Sequence, residues 1–303
     1  MAEAGPPGLR KNKKGMTKSA LSGLAFIAFL ILECNSRNLN NETFAGYGLA
    51  RPDTILILPD ILHEISGLTI IDDSTVACIQ DEHGIVIIYD ISKNEIKNQL
   101  NFGINGDYED IARVGKTLFI LRSDGVLFEI SDFEIENFNL VFFETGIPAK
   151  DNEGLCYDKD NNRLLIACKS KRSIYSFDLS TKTLSAEPAF TFDVDALIKF
   201  AHKNNIKLKT RKTKKDLFPE PILKFRTSAI CINPITKKLF LISAEDHLLF
   251  IFNIDGRIEH IEKLPHKIFI QPEGLTFTNN GDMLISNEGK DKSPTIVRFD
   301  YKN

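Results

Sequence analysis

Residues 152–179, NEGLCYDKDNNRLLIACKSKRSIYSFDL, decide the fold. A short apolar entry is followed by the polar turn Asp158-Lys-Asp-Asn-Asn162, the apolar run 164–167, a polar break at 169–172 and a second run at 174–179. Short β-branched and aromatic runs separated by Asn, Asp and Gly predict strands joined by tight turns, not helices. The turn superficially resembles the start of a calcium loop. It has Arg163 where such a loop needs glycine and Lys169 where it needs glutamate, so it reads as a β-turn.

The first four residues of this stretch recur along the chain. Ile65-Ser-Gly-Leu68, Tyr108-Glu-Asp-Ile111, Asn152-Glu-Gly-Leu155, Thr227-Ser-Ala-Ile230 and Pro272-Glu-Gly-Leu275 align at Ser66, Glu109, Glu153, Ser228 and Glu273, with separations of 43, 44, 75 and 45 residues. A four-stranded propeller blade needs about 40 to 50 residues, so the period predicts an all-β, five-bladed β-propeller. The 75-residue interval is too short to add a complete blade. Its excess coincides with residues 195–226, where Ala196, Leu197, Phe200 and Ala201 have helical spacing. That segment reads as a helical and basic insert, with a degenerate sixth blade as the alternative. Thr54-Ile-Leu-Ile-Leu58 has no blade of its own and is expected to complete the last one, beside residues 295–301. Such N- and C-terminal strand closure leaves no open seam.

In a propeller the innermost strands line a central channel, so the five aligned residues should form a ring at one mouth. Three of them are Glu109, Glu153 and Glu273, accompanied by Ser66 and Ser228. A second ring is expected from the hairpins 13 to 17 residues downstream: Asp81 and Glu82, Arg122 and Asp124, Lys169, Glu245 and Asp246, and Asn287 with Glu288. Facing carboxylates raise one another's pKa unless a cation joins them. Hard oxygen donors without thiolate or imidazole favour calcium, then magnesium, over zinc or copper. The structural alternative is that each acid bonds backbone amides or pairs with Arg122 or Lys169, holding neighbouring blades in register. No nucleophile elbow, H-E-x-x-H or phosphate-binding loop occurs, and His63, His83 and His247 read as loop histidines.

The 303 residues carry 38 basic and 41 acidic side chains, a near balance that conceals segregation. Residues 1–33 hold five basic and two acidic side chains, and the insert ten and three, leaving 23 against 36 in the remainder. The propeller is therefore acidic, and nucleic acid is not an expected partner. In the insert, Lys207, Lys209, Arg211, Lys212, Lys214 and Lys215 have no interleaved aromatic residue, which argues against base stacking and for an exposed loop. At the N-terminus, Arg10, Lys11, Lys13, Lys14 and Lys18 precede ALSGLAFIAFLIL, residues 20–32. This run suits an export signal and is short for a span of about 20 residues. Cys34 then occupies the position of a lipidated lipoprotein cysteine, although Glu33 replaces the usual small residue. The expected organisation is an export signal at 1–33, a tether at 34–53 and a propeller at 54–303. An uncleaved anchor helix is the alternative for the leader. Cys78, Cys156, Cys168 and Cys231 read as buried free thiols.

The ordered motifs Glu64-Ile-Ser-Gly-Leu68, Gln80-Asp-Glu-His-Gly84, Asp107-Tyr-Glu-Asp-Ile111, Asn152-Glu-Gly-Leu155, Ile270-Gln-Pro-Glu-Gly-Leu275 and Ile285-Ser-Asn-Glu-Gly289 resemble the SdiA-regulated family, also called the YjiK or CarP family. The resemblance covers about residues 54–303. It implies a five-bladed propeller of the bacterial envelope with a calcium site, distantly related to NHL-repeat and phytase-like propellers. It further implies Glu109, Glu153 and Glu273 as acidic channel residues, with Glu82, Glu245 and Glu288 from adjoining loops. The expected function is a membrane-anchored, calcium-binding propeller that presents its acidic mouth to a ligand or protein partner. The competing readings are a metal-dependent phosphoesterase of phytase-like type at the same mouth, and a scaffold without metal.

Overall fold

The computed structural model describes residues 45–135, 137–211 and 220–302. The predicted export signal, Cys34 and the first part of the tether lie outside the described residues, as do Lys212, Lys214 and Lys215. Among the described residues, five antiparallel sheets form the blades. The first runs outward from Ile65–Asp72 through Thr75–Gln80 and Ile85–Asp90 to Glu95–Asn101. The second comprises Tyr108–Val114, Thr117–Arg122, Val126–Ser131 and Asn139–Glu144. In the third, Asn152–Asp158, Arg163–Cys168 and Ser173–Asp178 are followed by a broken outer strand, Thr183–Leu184 and Phe190–Thr191. The fourth contains Ala229–Ile232, Leu239–Ser243, Leu248–Phe252 and Ile258–Lys263.

The fifth sheet closes the ring as its pattern requires. Pro272–Phe277, Met283–Asn287 and Thr295–Phe299 are completed by Thr54–Ile57, which pairs antiparallel with Thr295–Phe299 in the register Ile55↔Val297. Each inner strand touches the inner strand of the next blade, and the fifth touches the first. Among the described residues no sixth blade occupies the long interval. Instead, helix Val194–Lys203 is capped by the Asp193 carboxylate, which accepts from the N–H groups of Asp195 and Ala196. The helix buries Leu197 and Ala201 against Phe190, Phe192, Leu223 and Phe225. A short hairpin follows, Lys209–Arg211 with Glu220–Ile222, which the apolar pattern did not announce.

Apolar cores fill the spaces between sheets. Leu118 and Ile120 meet Ala77 and Ile79 between the first two blades, for example, and Leu68 meets Leu284 across the closing seam. Part of the expected tether is packed: Tyr47 is fully buried, its hydroxyl donating to the Gly281 carbonyl at 2.6 Å and accepting from Asn233 Nδ2 at 2.7 Å. Residues 45–53 thus plug the seam between the fourth and fifth blades.

Close approach of the inner strands explains the glycine of the motif. A Cβ on Gly67 would lie 2.7 Å from Cα of Asp110 in the next blade, a contact that only backbone displacement relieves. The second blade has Asp110 at this place, and its carboxylate bridges onward, accepting from Leu155 N–H at 2.6 Å and Ile111 N–H at 2.8 Å. Gly67→Ala should therefore destabilise the propeller by about 2 kcal/mol in urea denaturation. A change within about 0.5 kcal/mol would mean that this seam has room to spare.

Candidate functional site

The motif places its second residue in a β-bulge. Pairing of the inner strand shifts register between Ile65 and Gly67, Tyr108 and Asp110, Asn152 and Gly154, and Pro272 and Gly274. Ser66, Glu109, Glu153 and Glu273 are the extra residues, so each leaves the ladder at the channel mouth, where a bulge re-aims a side chain. The two serines act as seam bonds: Ser66 Oγ donates to the Tyr108 carbonyl at 2.7 Å, and Ser228 Oγ to the Pro272 carbonyl at 2.9 Å.

Lys169 pairs directly with Glu153, and its charge acts on Glu109 and Glu273 at longer range. Lys169 Nζ is 2.5 Å from Glu153 Oε1, with the lysine side chain 32% and the glutamate side chain 12% exposed. Burial, then the charges of Glu153 and Asp107, push Glu109 up to about 9, against the opposing pull of Lys169. Burial and Glu153 likewise push Glu273 up to about 8. Burial also raises Glu153, although Lys169 opposes it. At Lys169 burial acts downward, but attraction to Glu153, Glu273 and Glu109 outweighs it and raises the ammonium. Several carboxylates around one ammonium leave a surplus of negative charge, which protons or a further cation must relieve.

A second acidic group adjoins the first at the seam of the fifth and first blades. Glu64 and Glu288 oppose each other carboxyl to carboxyl, which lowers Glu64 and raises Glu288. Burial and Glu64 raise Glu288 to about 7, and burial with Glu64, Glu82 and Asp107 raises Asp81 to about 6. Asp81 Oδ1 and Asn287 Oδ1 are both shielded from solvent without a hydrogen-bond partner.

The remaining predicted residues have partners of their own, and Glu245 also lines the mouth cavity. Arg122 is occupied by Asp124 in a two-pronged pair at 2.8 and 3.0 Å and lies over the Phe128 ring. Glu245 is at the rim, bound by Lys224 and 3.6 Å from Arg226 Nε, and these cations hold its carboxyl below the usual range. Glu82 is exposed, 3.8 Å from the His83 ring. Sequence reading missed Glu64, Asp107, Gln271, Arg226 and Lys290. The last three line a mouth cavity of about 320 Å³ together with Lys169, Ser228 and Glu273. Glu64, Asp107, Arg226 and Gln271 each stand directly before the four-residue motif, two positions ahead of its aligned residue, so the repeat could have found them, whereas Lys290 lies in the loop after Glu288. The mouth is therefore of mixed charge on one side and acidic on the other.

For a hard divalent cation the donor chemistry fits, since the channel groups are oxygen ligands. Their arrangement centres on Lys169, and among the described residues no three His, Cys, Asp or Glu side chains stand close enough together to hold a metal ion. Among the described residues no helix is long and apolar enough to cross a membrane.

No family model matches the chain, and no curated protein matches it. Solved structures do. A luciferin-regenerating enzyme is 11% identical, covering 82% of this chain and 95% of that one with a TM-score of 0.46. Virginiamycin B lyase from Staphylococcus aureus is 11% identical over 77% of this chain and 66% of its own, at 0.45. A chain of the mitotic checkpoint complex is 10% identical over 97% of this chain and all of its own, at 0.47. Likeness at this level concerns architecture and carries no activity across. The chain is an all-β, five-bladed propeller by its own sheets.

Proposed function

We propose that the protein is a calcium-binding propeller of the bacterial cell envelope, without turnover of its own, that offers its mouth to a ligand or protein partner. The observation that carries this reading is the crowding of the bulge residues Glu109, Glu153 and Glu273 at one mouth, where Lys169 pairs directly with Glu153 alone among them. Glu109, Glu153 and Glu273 would have to draw closer together to hold the ion, with Glu288 beside Glu273. Bound calcium would supply the fixed positive charge that this cluster lacks. Lys169, one-third exposed, is free to turn toward solvent and relinquish Glu153. The leader and Cys34 would tether the propeller to the membrane. The ordered motifs shared with the SdiA-regulated propellers support the same assignment.

Metal analysis and thermal melting of the purified chain test it. Calcium at about 100 times its Kd should raise Tm by about 5 °C or more. Glu109→Ala, Glu153→Ala and Glu273→Ala combined should abolish both the metal content and the shift. Calcium-independent melting with no retained metal would refute the reading. A second reading, metal-dependent phosphoester hydrolysis, gains from Arg226 and Lys290, which add to Lys169 the positive charge such a substrate needs in the mouth cavity. Phosphoester turnover that is lost with the same three substitutions would favour it.

A further inference from the structure

The insert builds a second cavity, which meets the mouth cavity at His247. Where its chain after the helix crosses the fourth blade, a pocket of about 190 Å³ is enclosed with Lys207, Lys209 and Lys263 on its walls, together with His247 and His266. Three ammonium groups around so small a space repel one another unless an anion lies between them. The carboxylate present, Asp246, is already committed: it accepts from the N–H groups of Lys224 at 3.1 Å and Phe225 at 2.8 Å, and from Ser243 Oγ at 2.8 Å. Lys209 Nζ donates to the Glu245 carbonyl at 2.5 Å, which anchors it without neutralising it. Lys207 and Lys263 are exposed, and neither ammonium has an ion-pair partner among the described residues.

His247 supplies an independent observation. Its ring stacks on His266 with centroids 3.5 Å apart. Both ring nitrogens are shielded from solvent, and neither has a hydrogen-bond partner of good geometry, the backbone of Phe269 and Ile270 offering only weak contacts. Leaving a buried polar group unsatisfied is costly, so such a group calls for a partner. Burial, then the positive charge of His266 and Lys209, holds the imidazole below its ordinary range, as expected where cations crowd without a counter-ion. A tetrahedral oxyanion in the pocket would accept from the ammonium groups, and from the His247 ring N–H once the ring turns toward it.

We infer that the groove between the insert and the fourth blade is a binding site for a phosphate-type oxyanion, free or as the headgroup of a phosphomonoester. This assignment is independent of calcium at the mouth. It gives the insert a purpose, because Lys207 and Lys209 reach the fourth blade only through it.

Titration of the full chain with inorganic phosphate, at ionic strength held constant with chloride, tests the site. Calorimetry should show saturable binding, and the NMR signals of His247 and His266 should both move. Lys207→Gln with Lys263→Gln should weaken binding by about tenfold or more at unchanged Tm, since both side chains are exposed. Arg226→Gln with Lys290→Gln, at the mouth, should leave it intact. Phosphate binding no stronger than chloride, or unchanged in the first double variant, or lost in the second instead, would overturn the proposal. Vesicles containing phosphatidic acid, compared with phosphatidylcholine alone, identify the source. Sedimentation that the first double variant abolishes assigns a lipid headgroup, and phosphate binding without it assigns a soluble ligand.

Discussion

Raising the pH from 5 to 9 without divalent cations should lower the stability of the propeller by on the order of 5 kcal/mol, read by urea denaturation at each pH. Glu109 and Glu273, pushed up to about 9 and about 8 from an ordinary 4.5, carry protons in the folded state that the unfolded chain has released. The native state therefore binds more protons than the unfolded state across this window. Stability is full below the unfolded value and is lost as the pH rises through the folded ones. Glu288 at about 7 and Asp81 at about 6 act in the same direction over the lower part of the range. Water in the channel screens these charges, which keeps the total below the sum of the separate shifts. Asp90, held low by the Ser92 hydroxyl, and Asp178, held low by the Thr181 N–H, titrate below 3.8, outside the window. Calcium should flatten the slope by replacing the protons. Stability that is constant or rising from pH 5 to 9 would contradict the crowding of carboxylates at the mouth.

Lys169→Met should cost about 3 kcal/mol at pH 8 and little at pH 5. Methionine keeps most of the side-chain volume, so the loss is one of charge. At pH 8 Glu153 is left buried without its partner, and Glu109 and Glu273 lose the cation that opposes their mutual repulsion. At pH 5 Glu109 and Glu273 carry protons, so the lysine has less charge to oppose. Urea melts at the two pH values separate this from packing, because an equal loss at both would assign Lys169 a purely steric role. The same variant should bind calcium more tightly than the parent, since the ion no longer displaces an ammonium.

The architecture could be read from the chain because tight hairpins fix the spacing between equivalent residues. The recurrence of Ser66, Glu109, Glu153, Ser228 and Glu273 therefore marked five inner strands, and Thr54–Ile57 stood out as a strand lacking a sheet. The bulge was not readable, since an extra residue in a ladder leaves no trace in hydropathy. Neither was the fate of individual charges. Arg122 and Asp124 were both expected in the second ring, but the spacing did not announce that they pair with each other. Lys290 reaches the mouth cavity from a connecting loop, and Arg226 from the position directly before the fourth motif, where the other copies carry Glu64, Asp107, Asp151 and Gln271. The insert hairpin escaped notice because Lys209-Thr-Arg211 has no apolar alternation to signal a strand.

The pairing of Thr54–Ile57 with Thr295–Phe299 also sets a timetable. A chain emerging from the ribosome in order produces this outermost strand first and its partner last. Throughout synthesis Ile55 and Ile57 belong to an edge with nothing to zip onto, a state in which unpaired strands invite association with other chains. The ring is thus a single contract signed at both ends. Holding factors that shield the early strand should matter more for the yield of this protein than for one whose blades are each complete as they appear.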